Sequence, residues 1–379
     1  MRLIPTHRAP DRSLLGRDVE SGDPEAAPLL RAGLSIDERQ RELLLRAGIR
    51  AIWIDDELSR GVEPMPLLSP DTRREASLAV GAALDEARES LNAHTGLSTE
   101  AVAALSRATI RIRDDVLACP DTARALLDLS ADHEFPHGDA AGVAALGMLI
   151  AKRLLERHGW VDFRGERRID RREQRLAYLG IGLLMHDIGK LAIPDRVLQK
   201  RGDLTEEEWA LMRRHPEDGV ALLSQSVSPL VADVVRSHHE RWDGSGYPRG
   251  RAADDISQLA RIAAVADVYD AVTTERPYAP ARPPHEAVRL VREGAGTQFD
   301  PEVVAAFCHV VLPFPPGQEI EAPDGRIGVV VDADPERPEA PLVRLPLADG
   351  EGFEEVRLTF PEFELPAEAP PSHRWALAS

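Results

Sequence analysis

Between residues 71 and 311 apolar side chains recur at i, i+3 and i+4, the spacing that gathers them on one face of an α-helix. The stretch Asp71 to Ser130 predicts helices interrupted near Thr95 to Ser98 and at Pro120. Further helical runs fall at 140–155, 175–185, 206–223, 229–237, 257–272, 284–293 and 301–311, a series that implies a helical bundle. The two ends read differently. Before residue 75, Ser35 and Glu38 have the spacing of a capping box at the head of an amphipathic stretch to Ala47, and Ile49 to Asp55 reads as a strand. Pro64, Pro66 and Pro70 then break the pattern. After Pro313, Asp324-Gly325 ahead of Ile327 to Val331 signals a hairpin, with further strands at Leu342 to Leu345 and Val356 to Phe360. The expected architecture is multidomain and mainly α. It has a small α+β module over 1–75 with a regulatory role, a helical connector over 76–130, a helical core over 131–311 and a small β module over 312–379. The acidic, Pro-rich tail after Leu365 is expected to be poorly ordered. The arm over 71–118 reads as ordinary helical packing, a homodimer interface being the minority alternative.

Composition narrows the classes. The longest nearly unbroken apolar run, Ala140 to Ala151, has 12 residues, short of the ~20 a membrane-spanning helix needs. No apolar signal region follows the first residues, so the expected location is the cytoplasm. A net charge of −18 argues against a partner that is a nucleic acid polymer, because such binding needs a basic face. Residues 311–379 hold 14 acidic residues against 5 arginines, which marks them as a separate module. The 2 cysteines, Cys119 and Cys308, form no thiolate metal pattern. Only 3 lysines, Lys152, Lys190 and Lys200, stand among 46 basic residues. A retained lysine therefore draws interest as a compact ammonium that can meet a phosphate oxygen or give up a proton.

Of 12 histidines, His137, His186, His215, His238 and His239, with His133 less clearly placed, sit at the ends of the predicted helical runs. Asp187 follows His186 directly, and Asp267 lies within an apolar helix, where a carboxylate needs a partner or a metal to offset its burial. Imidazole and carboxylate without thiolate suit iron, manganese or zinc. Such residues are numerous enough for a two-metal site that activates water against a phosphate ester. His7, His94, His158, His285, His309 and His373 read as core or surface residues, and Lys200 with Arg201 as a solvated helix end.

The motif His186-Asp187-Ile188-Gly189-Lys190 resembles that of HD-domain metal phosphohydrolases. The run His238-His239-Glu240-Arg241-Trp242-Asp243-Gly244-Ser245-Gly246-Tyr247-Pro248 resembles the HD-GYP subfamily. Further matches follow in family order at Ile193-Pro194-Asp195, His215-Pro216, Ala266 to Ala271, Arg276-Pro277-Tyr278 and Phe299-Asp300-Pro301, covering roughly residues 131 to 311. The resemblance implies hydrolysis of the bacterial second messenger cyclic di-GMP to linear pGpG, with GMP as the product of a further cut, which would lower the messenger's level. It implies two divalent metals, iron or manganese. One would be held by His137, His186, Asp187 and Asp267, and the second by bridging Asp187 with His215, His238 and His239. Lys190 would serve the leaving oxygen or hold the phosphate, and Arg276 would contact the other phosphate. Gly244 and Gly246 suit a tight substrate-side loop. Tyr247 reads equally as loop packing or as a contact to guanine, and Asp243 and Glu240 as ligand-orienting or loop-fixing residues.

Two departures stand out. Family members with three metals carry Glu four residues before the first histidine, where this chain has His133, with Glu134 next to it; these are candidate ligands for a third metal. A commonly basic position three residues after Arg276 holds Ala279, for which Arg282 is the available substitute. Two alternatives stand beside the phosphodiesterase: a low-activity signalling adaptor that binds cyclic di-GMP or protein partners, and an HD phosphohydrolase of another nucleotide.

Overall fold

The computed structural model describes residues 1–20, 27–63, 66–93, 95–119, 138–161, 166–200, 202–223, 227–274, 282–334, 336–348 and 351–361. His133, Glu134, His137, Arg276 and Ala279, and the tail after Leu365, lie outside them. The chain is mainly helical, as the apolar periodicity predicts, with a small sheet near each end.

The first sheet contains β1 (Arg2–Pro5), β2 (Ser13–Leu15), β3 (Ser35–Ile36) and β4 (Ala51–Asp55), in the antiparallel order β1-β4-β2-β3. Ile4, Leu15, Ile36, Ile52 and Ile54 form its core with Leu44 of α1 (Glu38–Arg46). The capping box of α1 sits two residues later than the expected Ser35 and Glu38. Asp37 accepts from the Gln40 backbone, and the Gln40 side chain accepts from the Asp37 backbone. Ser35 is instead committed to β3, where Leu14 pairs with it, so strand pairing displaces it as the cap.

The helical body begins with α2 (Pro70–Ala93) and α3 (Thr99–Ala118), which share one apolar core with the later helices. Its centre is α4 (Gly138–His158), packed against α2, α3, α5 (Arg172–Leu184), α10 (Gln258–Thr273) and α12 (Pro301–Val310). The apolar run of α4 follows from this placement, since a helix covered on every side needs no polar face. Between α4 and α5 lies a short hairpin of β5 (Trp160–Val161) and β6 (Arg167–Arg168). After α5 come a 3₁₀ turn (Ile188–Ala192), α6 (Asp195–Leu198), α7 (Glu206–Met212), α8 (His215–Leu222) and α9 (Pro229–Ser237). The run expected over 206–223 is two helices rather than one. Pro216 occupies the first turn of α8, where its missing N–H costs nothing, whereas inside a continuous helix it would remove a hydrogen bond. Close approach of α5 to α9 depends on Gly182, where an added Cβ would stand 2.6 Å from the Val234 side chain.

Beyond α10, α11 (Pro284–Glu293) and α12, the chain forms an antiparallel meander of β7 (Glu319–Glu321), β8 (Ile327–Asp332), β9 (Leu342–Pro346) and β10 (Phe353–Arg357). The last strand begins three residues before the expected Val356. Asp324-Gly325 turns between β7 and β8, with Gly325 at φ +82°. Phe314, Ile320, Val330, Val343 and Leu345 form its core. The two sheets touch along the chain's ends. The Leu3 N–H donates to the Gly317 carbonyl (3.0 Å), Arg2 pairs with Glu319, and Arg344 donates to the carbonyls of Leu58 and Arg60.

Candidate metal centre

Helix ends bring the motif side chains to one point. Past the C-terminus of α5, the turn presents His186 and Asp187, and the following 3₁₀ turn folds Lys190 back so that its Nζ lies 2.5 Å from Asp187 Oδ2. His215 opens α8, His238 caps the C-terminus of α9 with His239 next, and Asp267 projects from α10. His186, His215 and His238 are buried. His186 Nε2 lies 3.4 Å from Asp187 Oδ2 and 3.5 Å from Asp267 Oδ1. His215 Nε2 lies 3.4 Å from Asp187 Oδ1, and His239 Nδ1 lies 3.9 Å from Asp267 Oδ2. Ligand atoms of Asp187, His215, His238 and His239 all fall within 4.8 Å of one another. His186 and Asp267 adjoin this group on the side of Asp187 and His239.

Three of the imidazoles are oriented by one device. His186 Nδ1 donates to the Leu183 carbonyl (2.6 Å), His215 Nδ1 to that of Met212 (2.8 Å) and His238 Nδ1 to that of Val235 (2.8 Å), each three residues earlier. A carbonyl only accepts, so each Nδ1 carries the proton and each Nε2 is left to point inward with its lone pair, as in ring-oriented metal ligands. Only the position of each histidine at a helix end, where carbonyls lack helical partners, foreshadows this device.

Fit to a metal follows from what is unpaired. His215 Nε2 and His238 Nε2 face each other at 3.3 Å, so with both Nδ1 atoms protonated two lone pairs oppose unless a proton or cation lies between. Asp187 Oδ1 is buried without a hydrogen-bond partner. Burial, with neighbouring histidines adding to it, depresses the pKa of His238; burial also depresses His215, against the pull of Asp187. His239 is driven by burial down to about 4, despite the opposing attraction of Asp267. Burial works against charge on His186 too, but Asp187 and Asp267 outweigh it and raise its pKa well above the ordinary value. Asp187, although burial opposes it, is held well below the carboxylate range by Lys190 and His186; Asp267 is held down by His186, His239 and His238. Neutral imidazoles of His215, His238 and His239 facing ionised carboxylates, with His186 holding a proton that a cation would replace, are a donor set suited to a borderline divalent cation.

The Gly-rich loop closes over one side of this cluster. Glu240, 3% exposed, accepts the backbone N–H groups of Arg249 (2.8 Å) and Arg251 (3.0 Å). Gly244 takes φ +82°, and a Cβ on Gly246 would stand 2.3 Å from the Arg241 nitrogen. Asp243 Oδ1 accepts from the backbone and hydroxyl of Ser245 (2.9 and 2.6 Å), while the Asp243 N–H donates to the Thr297 carbonyl (2.8 Å). Asp243 and Glu240 are thus spent on the loop's own geometry. The loop lays the Tyr247 ring on His239, with centroids 4.7 Å apart and 32° between planes. Asp300, from the Phe299-Asp300-Pro301 match, caps α12 and pairs with Arg261 of α10 (2.7 Å), bracing two helices. Arg282 is anchored by its backbone N–H to the Val272 carbonyl (2.8 Å).

Residues 167–303 match the model of the HD domain family, a span that includes His186, Asp187, His215, His238, His239, Asp267 and the Gly246-Tyr247-Pro248 loop. A cyclic di-GMP phosphodiesterase of Pseudomonas aeruginosa is 39% identical over 223 residues, 58% of this chain and 50% of the relative. A cyclic di-GMP phosphodiesterase of Thermotoga maritima is 43% identical over 155 residues, 40% of this chain and 42% of the relative. A 3'3'-cGAMP-specific phosphodiesterase of Vibrio cholerae is 31% identical over 274 residues, 72% of this chain and 52% of the relative. The chain spans about half the length of these curated relatives. Among the described residues no helix is long and apolar enough to cross a membrane.

Proposed function

We propose that this chain is a metal-dependent phosphodiesterase that hydrolyses cyclic di-GMP to pGpG, with GMP as the product of a second cut, and that two divalent cations, iron or manganese, serve it. The observation that carries the reading is the opposed Nε2 pair of His215 and His238 beside the unpartnered Asp187 Oδ1. The names of the relatives support the substrate.

Asp187 would bridge, with His215, His238 and His239 on one side and His186 and Asp267 on the other; His137 would complete the second set, and His133 or Glu134 would serve a third cation. Bound there, divalent cations supply an activated water at neutral pH and neutralise charge on the phosphate oxygens. The chain's own groups do the rest. The carbonyls of Leu183, Met212 and Val235 hold three imidazoles in the binding tautomer. Lys190, beside Asp187, stands where it can hold a phosphate oxygen or deliver a proton to the departing ribose oxygen. Tyr247 packs His239 in place and walls one side of the site, and Arg276 would meet the second phosphate. Residues 131–311 would form the hydrolase unit, with the module over 1–75 as a regulatory attachment.

A second substrate is favoured by the relative named for 3'3'-cGAMP, which shares both a cyclic dinucleotide backbone and one guanine with cyclic di-GMP. The test is anaerobic purification, loading with Fe²⁺ or Mn²⁺, and chromatography of the products from each dinucleotide alone and in competition. Appearance of pGpG or GMP with cyclic di-GMP preferred supports the proposal. Tight binding without turnover would assign the chain to signalling by binding alone, and preference for cGAMP would change the substrate.

A further inference from the structure

Three segments that carry the histidine cluster meet again outside it, at one carboxylate. Glu217 stands in the first turn of α8, two positions after His215. Its Oε2 accepts from Arg236 Nε (3.4 Å), two positions before His238 at the end of α9. Its Oε1 accepts from Arg249 Nε (3.0 Å), two positions after Tyr247 in the Gly-rich loop. Two residues of chain reach about 7 Å at most, so each member of this triad lies within that distance, Cα to Cα, of a residue of the candidate metal centre. One oxygen goes to each arginine, which makes the carboxylate a bracket between α9 and the loop, mounted on α8.

The loop exit is held on α9 as well. Arg251 Nη1 donates to Asp233 Oδ1 (3.0 Å), while Glu240 accepts the backbone N–H groups of Arg249 and Arg251. Glu240 fixes the loop's own turn; Glu217 and Asp233 fix where that turn sits on the two helices. Two relationships depend on this placement: the Tyr247 ring on His239, with 4.7 Å between centroids, and the 3.3 Å approach of His215 Nε2 to His238 Nε2. The triad itself contributes little to folding, because the side chains of Glu217 and Arg249 are 41% and 46% exposed and ion pairs open to water are weak. A bracket that adds little stability yet joins three segments of the site acts on geometry.

We propose that Glu217 is a positioning residue of the metal centre, acting through Arg236 and Arg249 to set the spacing of His215, His238 and His239 beneath Tyr247. This rests on the metal-binding reading above and extends it to a residue outside the ligand set. The sign of the effect separates positioning from simple charge. Removing Arg249 takes a positive charge away from the site, which on Coulomb grounds alone tightens a divalent cation; loss of the bracket loosens it.

The test is titration of Mn²⁺ into the full chain stripped of metal, with free Mn²⁺ counted by electron paramagnetic resonance, so that no turnover is required. Glu217→Gln and Arg249→Gln should each weaken Mn²⁺ binding about tenfold or more, the range for groups that orient metal ligands. The double variant should bind no more weakly than the weaker single one, and metal-free melting temperatures should stay at the wild-type value. Asp218→Asn removes the same charge from the same turn of α8, where its partner is Arg214 (3.3 Å), and should leave Mn²⁺ affinity near wild type. Unchanged or tighter binding in Arg249→Gln, or equal weakening by Asp218→Asn and Glu217→Gln, would reduce the triad to surface charge and overturn the proposal. A variant that melts well below the wild type without metal is replaced by Glu217→Asp, which keeps the charge on an arm too short to reach both arginines; wild-type affinity in that variant also overturns it. A wild-type chain that binds neither Mn²⁺ nor Fe²⁺ overturns the metal reading itself and this proposal with it.

Discussion

Gly189 and His215 are in backbone contact: a Cβ built on Gly189 would stand 1.9 Å from the His215 carbonyl oxygen and 2.5 Å from the Gly219 nitrogen. The turn that carries Asp187 and Lys190 therefore lies directly on the first turn of α8. Neither neighbour is a flexible side-chain tip, so the clash cannot be relieved by a rotamer change. Gly189→Ala is expected to destabilise the protein by about 1–3 kcal/mol and to shift Asp187 relative to His215. Thermal melting with and without Mn²⁺ checks both parts: the variant melts lower and gains less from the metal. A wild-type melt would show that the contact is not tight.

Metal binding should be visible as stability. A ligand at 100 times its Kd adds about 2.7 kcal/mol to the folded state, so excess Mn²⁺ should raise the melting temperature of the wild type by several degrees. Asp187→Ala removes the carboxylate nearest both His215 and His186, and its melting temperature should not respond. Metal content by mass spectrometry supplies the second readout, and wild-type stoichiometry in the variant would sink the bridging role.

Lys190 separates binding from chemistry. Its ammonium touches Asp187 without belonging to the imidazole set, so Lys190→Ala should retain metal while turnover of cyclic di-GMP falls about 10²–10⁴-fold, the range for a proton-delivering group. A variant whose KM alone rises would instead make Lys190 a phosphate anchor.

Glu319 gives the protein a pH dependence away from the cluster. Burial raises its pKa above 4.5 even though Arg2 and Arg8 pull the other way. A carboxyl raised in the fold contributes most below its unfolded pKa, and the contribution disappears as pH climbs through the folded value. Glu319→Gln does not titrate, so its stability relative to the wild type should improve between pH 4.5 and neutrality. Urea unfolding at the two pH values measures the change, and a difference that is constant or runs the other way contradicts the assignment.

Close packing of α5 on α9 sets the separation of His186 from His238. Gly182→Ala would press a methyl against the branched Val234 side chain, which has few rotamers to escape into. The expected loss is again about 1–3 kcal/mol. Gly182→Ala combined with Val234→Ala should recover much of it, and a double variant no better than the single would place the strain elsewhere.

Much of this arrangement is legible in the residues. The all-round apolar run of α4 foretells its central position, and the Asp324-Gly325 signal foretells the β7–β8 turn. Other features depend on contacts that spacing does not encode. Ser35 and Asp37 are both good caps, and the choice between them is made by strand pairing to Leu14. The helix break ahead of His215 is local and was available in Pro216. The convergence of Asp187, His215, His238 and Asp267 was implied by resemblance; from periodicity alone, three helix ends and one mid-helix carboxylate could meet in many ways. The three carbonyls that orient the imidazoles are local, each three residues before its histidine, but that the ring turns back onto them is decided by backbone and rotamer and not by spacing.

The joined edges of β1 and β7 have a mechanical consequence. Leu3 with Gly317 and Arg2 with Glu319 fasten together the strands before and after the helical body, so that body is a ring closed at a clasp. A closed ring has fewer open conformations than a chain with loose ends, and a tug on either sheet reaches the helices from both directions at once. Whatever grips one sheet module thus handles the other as well, and unclasping them would slacken the helical ring at its first and last turns together.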